Sequence, residues 1–125
     1  MECQPDDGMI QILVIDDDPK MANLIAEALL KDGHQVITVG SAEEGLAQLP
    51  FNTFQVAFID HHLPGMEGLV LGGYLRRNNP HMQLALVTGE PDPKLKRQSD
   101  QLGITFIQKP FDLRRLQEVV DLYLA

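Results

Sequence analysis

Cysteine is almost missing from this chain: Cys3 is the only one. An intrachain disulfide is therefore excluded, and so is a zinc cluster built on several thiolates. Cys3 lies in a polar leader and has no evident role there; a lone cysteine fits a reducing compartment. Long apolar runs are also missing. None approaches the roughly 20 residues that a membrane span needs. The opening Met1-Glu2-Cys3-Gln4-Pro5-Asp6-Asp7-Gly8 is acidic and lacks the basic and apolar regions of a signal peptide. Basic residues are scarce, with 10 Lys and Arg against 18 Asp and Glu, a net charge of −8. That balance argues against general nucleic-acid binding. Internal repeats, low-complexity tracts and linkers are absent. The expectation is a soluble, cytoplasmic protein with a flexible leader over 1–9 and a single domain over 10–125. A chain of 125 residues, 44% apolar, can bury a core without staples.

The charge is unevenly spread. Residues 1–93 carry 4 basic and 14 acidic side chains, whereas residues 94–125 carry 6 basic and 4 acidic. The C-terminal excess reads either as a partner surface or as a solvated helix face.

Strand and helix patterns alternate five times. Short apolar runs rich in Val, Ile, Leu and Phe predict strands near 10–15, 35–39, 55–59, 83–88 and 104–107. They mostly lack strict alternation, as expected of strands buried on both faces. The first helix is predicted to be capped by Asp18, to start at Pro19 and to end at Gly33. Its apolar face is Met21, Leu24, Ile25, Ala28 and Leu29. Ser41-Ala42-Glu43-Glu44 is a capping box that opens a second helix, stopped at Pro50. A third helix, near 67–78, is weakened by Gly68, Gly72 and Gly73, each costing about 1 kcal/mol relative to Ala. A fourth spans about 93–102. A fifth starts at Asp112 and should bury Leu113, Leu116, Val119, Val120, Tyr123 and Leu124. Alternating β and α units imply an α/β fold: a five-stranded parallel sheet with right-handed crossovers and helices on both faces. The flavodoxin-like order 2-1-3-4-5 is one common solution.

Polar residues stand where the apolar runs end. Asp16 and Asp17 follow the first run, Asp60 the third, Thr88 the fourth and Lys109 the fifth. In a parallel sheet all of them reach one edge, where open α/β sheets bind ligands. Strands 1 and 3 are neighbours in the 2-1-3-4-5 order, so Asp16, Asp17 and Asp60 would meet. Crowded carboxylates repel, and a hard divalent cation such as Mg²⁺ relieves the conflict. Asp18 is read as a helix cap only. A carboxylate attacking phosphorus gives an acyl phosphate, and a cation plus an ammonium would neutralise the developing charge.

Four stretches, in this order, resemble the receiver domains of two-component response regulators: Ile12-Leu13-Val14-Ile15-Asp16-Asp17-Asp18-Pro19, Asp60-His61-His62-Leu63-Pro64-Gly65-Met66-Glu67-Gly68, Thr88-Gly89 and Lys109-Pro110-Phe111. The resemblance covers about residues 10–124. It implies that Asp60 is the phosphoacceptor, and that Asp17, Asp16, Asp60 and the backbone carbonyl of His62 hold Mg²⁺. It implies that the Thr88 hydroxyl bonds a phosphoryl oxygen and that Lys109 pairs with Asp60 and then with the phosphate. Thr88 and Phe106 would form the switch, and the Lys109-Pro110 peptide would be cis. The implied donor is a sensor histidine kinase or a histidine phosphotransfer domain. The implied output is protein contact or dimerisation through the fourth helix, fifth strand and fifth helix, where Lys94, Lys96, Arg97, Arg114 and Arg115 lie. Such a domain modifies itself and turns over no separate substrate. It occurs alone or as part of a longer regulator or hybrid kinase.

Some residues depart from the pattern. His61 stands where the family usually has an aliphatic residue. A packing or exposed role suits His61 and His62 better than binding a transition metal through both rings. His62 and Glu90 occupy two variable positions that tune phosphate loss in the family. Glu90-Pro91-Asp92-Pro93 stiffens the loop into the fourth helix. Two other functions compete. A haloacid-dehalogenase-like phosphatase would use Asp16 in an Asp-x-Asp motif, but Lys20 replaces the usual Thr or Val and Asp60 would be idle. A receiver-shaped module that is never phosphorylated would not need Asp60, Thr88 and Lys109 together.

Overall fold

The computed structural model describes residues 9–125. The leader predicted over 1–9 thus lies outside the described residues except for Met9. In chain order the elements are β1 (Gln11–Ile15), α1 (Pro19–Leu30), β2 (Gln35–Val39), α2 (Ala42–Gln48), β3 (Val56–Asp60), β4 (His62–Leu63), β5 (Met66–Glu67), α3 (Gly68–Asn78), β6 (Gln83–Thr88), α4 (Pro93–Gln101), β7 (Thr105–Gln108) and α5 (Arg114–Leu124). Five strands form one parallel sheet in the order β2-β1-β3-β6-β7. This is the predicted 2-1-3-4-5 pattern. The short antiparallel hairpin β4–β5, set between β3 and α3, is an addition that the apolar pattern did not signal.

Alternation along the strands divides the core in two. Ile12, Val14, Val56, Phe58, Ala85 and Val87 face α1 and α5. Leu13, Ile15, Ala57, Ile59, Leu84 and Leu86 face α2, α3 and α4. Every residue of central β3 is buried, which is why its sequence reads as a continuous apolar run ending in one acid.

Local signals set the helix starts. Asp18 Oδ1 accepts the Lys20 N–H and Pro19 occupies the first turn of α1. Ser41 Oγ accepts the Glu44 N–H at 3.1 Å. Glu44 returns its carboxylate to the N–H of Gly40, one residue earlier than a capping box requires. Gly33 follows α1 at φ +89°, a left-handed position that suits glycine.

Two apolar faces need correction. In α1 the buried residues are Ala22, Ile25, Ala26 and Leu29, while Leu24 is 43% exposed. Small alanines let this helix lie close to the sheet and turn Leu24 outward. In α5, Leu116, Val119 and Val120 are buried, but Leu113, Tyr123 and Leu124 lie at the surface. Burial stops at Val120, and Leu113 precedes the helix. Asp112 still acts at the start, since its Oδ1 accepts the Arg114 N–H.

The glycines of α3 also read differently in three dimensions. The helix is unbroken over its eleven residues, and Gly68, Gly72 and Gly73 are buried. A Cβ on Gly68 would stand 2.2 Å from the backbone oxygen of Asp60, and one on Gly72 would stand 2.8 Å from Ile104 Cδ1. The helix gives up propensity to approach β3 closely.

Candidate functional site

The C-terminal edge of the sheet gathers the chemistry. Asp60 closes β3, and Thr88 closes β6, whose residue Val87 pairs with Asp60. Asp16 follows β1 directly and donates its N–H to the Val39 carbonyl, which fixes it at the edge. Lys109 follows β7 and donates its backbone N–H to Thr88 O at 2.7 Å. Residues more than 40 apart in sequence are thus brought together by strand register alone.

Carboxylate oxygens of Asp16, Asp17 and Asp60 all lie within 4.8 Å of one another. Asp16 and Asp60 are buried, and Asp17 is open to solvent. Asp16 Oδ1 accepts the Asp18 N–H at 2.9 Å. Its Oδ2 is buried without a hydrogen-bond partner. Burial, opposed by that backbone bond and reinforced by the Asp60 charge, pushes Asp16 from an ordinary 3.8 up to about 6. Burial also raises Asp60, while the ammonium of Lys109 pulls it back down. Lys109 Nζ lies 3.4 Å from Asp60 Oδ1, and the Lys109-Pro110 peptide is cis.

This donor set fits a hard divalent cation. Three carboxylates converge with one ammonium beside Asp60, and one buried oxygen lacks a donor. The cluster could hold a metal through Asp16, Asp17 and Asp60. Asp18 stands apart from it, because its carboxylate serves the start of α1. The Asp-x-Asp reading thus keeps only one of its two acids in the cluster.

The other predicted residues lie on β6, on β7 and directly after β3. Thr88 is fully buried, and its hydroxyl accepts the Glu90 N–H at 3.1 Å. Phe106 is half-buried against the α2–α3–α4 side of the core. The exposed side chain of His62 meets Glu90 at 3.1 Å, which joins the loops after β3 and β6. His61 is buried and stands edge-on to His62, with ring centroids 5.0 Å apart. Sequence reasoning treated Gly68 as a helix cost and missed its closeness to the Asp60 backbone. It named His62 and Glu90 together as two variable positions and did not foresee their direct contact. The signal for Gly68 was its position at the end of the Asp60–Gly68 stretch.

The chain matches the response regulator receiver domain family over residues 12–121. It is a response regulator receiver domain. Among its relatives, the response regulator protein FleR of Pseudomonas aeruginosa is 31% identical over 112 residues, which cover 88% of this chain and 24% of that protein. The transcriptional regulatory protein TcrA of Mycobacterium tuberculosis is 33% identical over 109 residues, 86% of this chain and 43% of that protein. The receiver domain therefore spans less than half the length of these relatives. Among solved structures, a CheY-like receiver domain protein from Methanospirillum hungatei superposes with a TM-score of 0.85 and is 31% identical. That match covers 93% of this receiver and 94% of the other chain. The receiver domain of NtrX from Brucella abortus gives a TM-score of 0.82 at 28% identity, covering 90% and 97% of the two chains. The receiver's place is in two-component signal transduction, where such domains take phosphate from histidine kinases.

Proposed function

We propose that Asp60 accepts a phosphoryl group from the phosphohistidine of a sensor histidine kinase or a histidine phosphotransfer domain. An Asp60 carboxylate oxygen attacks phosphorus, the P–N bond breaks, and the imidazole leaves with the electron pair and takes up a proton. The product is an acyl phosphate on Asp60. Two anions approach each other in this step, so charge neutralisation and positioning dominate the barrier. Lys109 supplies one positive charge beside the reacting oxygen. Asp16, Asp17, Asp60 and the backbone carbonyl of His62 would hold Mg²⁺. Bound there, the ion supplies Lewis-acid neutralisation of the phosphoryl oxygens. Burial of Asp16 and Asp60 raises the strength of every charge interaction in the pocket.

Phosphorylation adds about two negative charges and new acceptor oxygens. The Thr88 hydroxyl leaves the Glu90 N–H and donates to one of them. Phe106 then repacks, and the surface of α4, β7 and α5 changes its affinity for a downstream protein or a second copy. The domain modifies itself, turns over no separate substrate and works in the cytoplasm, and residues 10–125 make up one receiver. The observation that carries this reading is the meeting of Lys109 with Asp60 at 3.4 Å beside the Asp16–Asp17–Asp60 cluster.

Mass spectrometry after incubation with acetyl phosphate and Mg²⁺ tests it. Wild type gains one phosphoryl group and Asp60→Asn gains none. Undiminished transfer to Asp60→Asn would remove the assignment.

A further inference from the structure

Arg76, in the last turn of α3, holds two separate segments with one guanidinium. Nε donates to Leu102 O at 3.0 Å and Nη2 to Gly103 O at 2.9 Å. Nη1 donates to Met82 O at 2.7 Å and to Pro80 O at 3.1 Å. Its charge is thus met by four backbone carbonyls. One side of the fork grips the turn that ends α4 and leads into β7. The other grips the approach to β6.

The helix at the far end of this grip is weakly seated. Of the nine residues of α4, Leu95 and Ser99 are the buried ones, and the Ser99 hydroxyl is taken by Leu95 O. The two ends of α4 differ. It starts at Pro93, two residues after Pro91, with Asp92 capping the first turn. Its end is stitched: Leu102 N–H donates to Ser99 O, Gly103 N–H to Asp100 O and Ile104 N–H to Ser99 O. Gly103 at φ +70° makes this tight reversal. Arg76 then collects the Leu102 and Gly103 carbonyls, which lie at the negative end of the α4 dipole.

We propose that Arg76 is a positioning residue that pins the C-terminal end of α4 to α3 and to the start of β6, leaving the Asp92–Pro93 end as the part of the helix that tilts. The planar fork is essential. It carries five donors in fixed directions, so it can serve two pairs of carbonyls at once, whereas an ammonium is a compact point charge on a flexible stem. This goes beyond the phosphorylation reading, because the pin is present in the unmodified protein and needs neither Asp60 nor a cation. It assigns the axis about which events at Thr88 would move α4: the proline-stiffened loop after Thr88 carries the moving end, and the turn before β7 is the fixed one.

Amide hydrogen exchange of the full, unphosphorylated chain tests the pin in wild type, Arg76→Lys and Arg76→Gln. In wild type, protection rises along α4 from Lys96 toward Leu102. In both variants the Leu102 and Ile104 amides exchange about tenfold faster or more, the gradient flattens, and the α1 amides of Ala22–Leu29 keep their protection. Equal acceleration in α1, an unchanged α4 gradient, or wild-type protection in Arg76→Lys would overturn the proposal. If the variants fail to fold, the wild-type Arg76 Nε–H decides alone. It is protected from solvent exchange if the pin exists, and exchanges as fast as that of exposed Arg97 if it does not.

Discussion

Alanine at position 68 puts helix propensity and packing in direct opposition. Gly68 begins α3, and its own N–H donates to His61 O at 2.7 Å. A Cβ added there meets Asp60 O at 2.2 Å, His61 Cα at 2.8 Å and the Asp60 carbonyl carbon at 2.9 Å. All three are backbone atoms, so no side chain can swing aside. The start of α3 must retreat from β3 by about 1 Å, or the Asp60–His61 backbone must move. Overpacking of this kind costs about 1–3 kcal/mol, against a propensity gain of about 1 kcal/mol for Gly→Ala in a helix. Net destabilisation of about 0–2 kcal/mol is expected from urea denaturation. The larger effect falls on chemistry, because a misplacement of about 1 Å can cost about 100-fold in rate. Gly68→Ala should therefore slow phosphorylation by acetyl phosphate far more than its stability loss suggests. Gly72→Ala is the control. Its Cβ meets Ile104 Cδ1 at 2.8 Å, a side-chain tip that can shift, and it should phosphorylate at close to the wild-type rate. A Gly68→Ala protein that is more stable than wild type and equally fast would refute the reasoning.

Chelation and pH expose the buried acid. In the fold Asp16 keeps its proton up to about pH 6, against 3.8 ordinarily, so the unfolded chain releases it first. In EDTA its contribution to stability is full below about pH 4 and is lost as pH climbs to about 6, on the order of 3 kcal/mol in all. Urea titrations of wild type and Asp16→Asn across that range check this, and parallel curves for the two would rule it out; added Mg²⁺ should restore wild type at pH 7. Lys109→Met leaves the buried carboxylate of Asp60 without its ammonium, which costs about 1–3 kcal/mol at neutral pH. Asp60→Asn should recover most of that in the double variant; simple additivity in the double-mutant cycle would mean that the 3.4 Å pair is not coupled. The His62–Glu90 pair has both side chains more than half exposed. Its coupling energy should stay below about 1 kcal/mol and shrink in high salt, and a larger, salt-insensitive value would count against a surface contact.

The site was more legible in the sequence than the helix faces were. Asp16, Asp60, Thr88 and Lys109 each stand at the end of an apolar run, and parallel register carries run ends to a common edge without further information. Helix faces need distances that periodicity does not hold. Counting large apolar residues put Leu24 inside α1, but Ala22 and Ala26 make the close contact. Counting them in α5 put Leu113, Tyr123 and Leu124 inside, although burial stops at Val120. The glycines of α3 were read from propensity, a local quantity, whereas the reason for Gly72 is Ile104, more than 30 residues away. Glu44 reaching Gly40 and His62 reaching Glu90 depend on side-chain rotamers that no spacing rule encodes.

The pocket takes its cation from the last strand of the sheet. As the chain leaves the ribosome, β1 and β3 can pair before Lys109 has been made, and Asp16, Asp17 and Asp60 are then together with no ammonium among them. Nascent domains that begin to fold from the N-terminal side pass through such partial states. The repulsion among those acids opposes an early, incomplete sheet, and docking of β7 beside β6 relieves it by delivering Lys109. Charge balance in the pocket thus favours closing the sheet last at β7, and the finished pocket is itself a report that the whole sheet has formed.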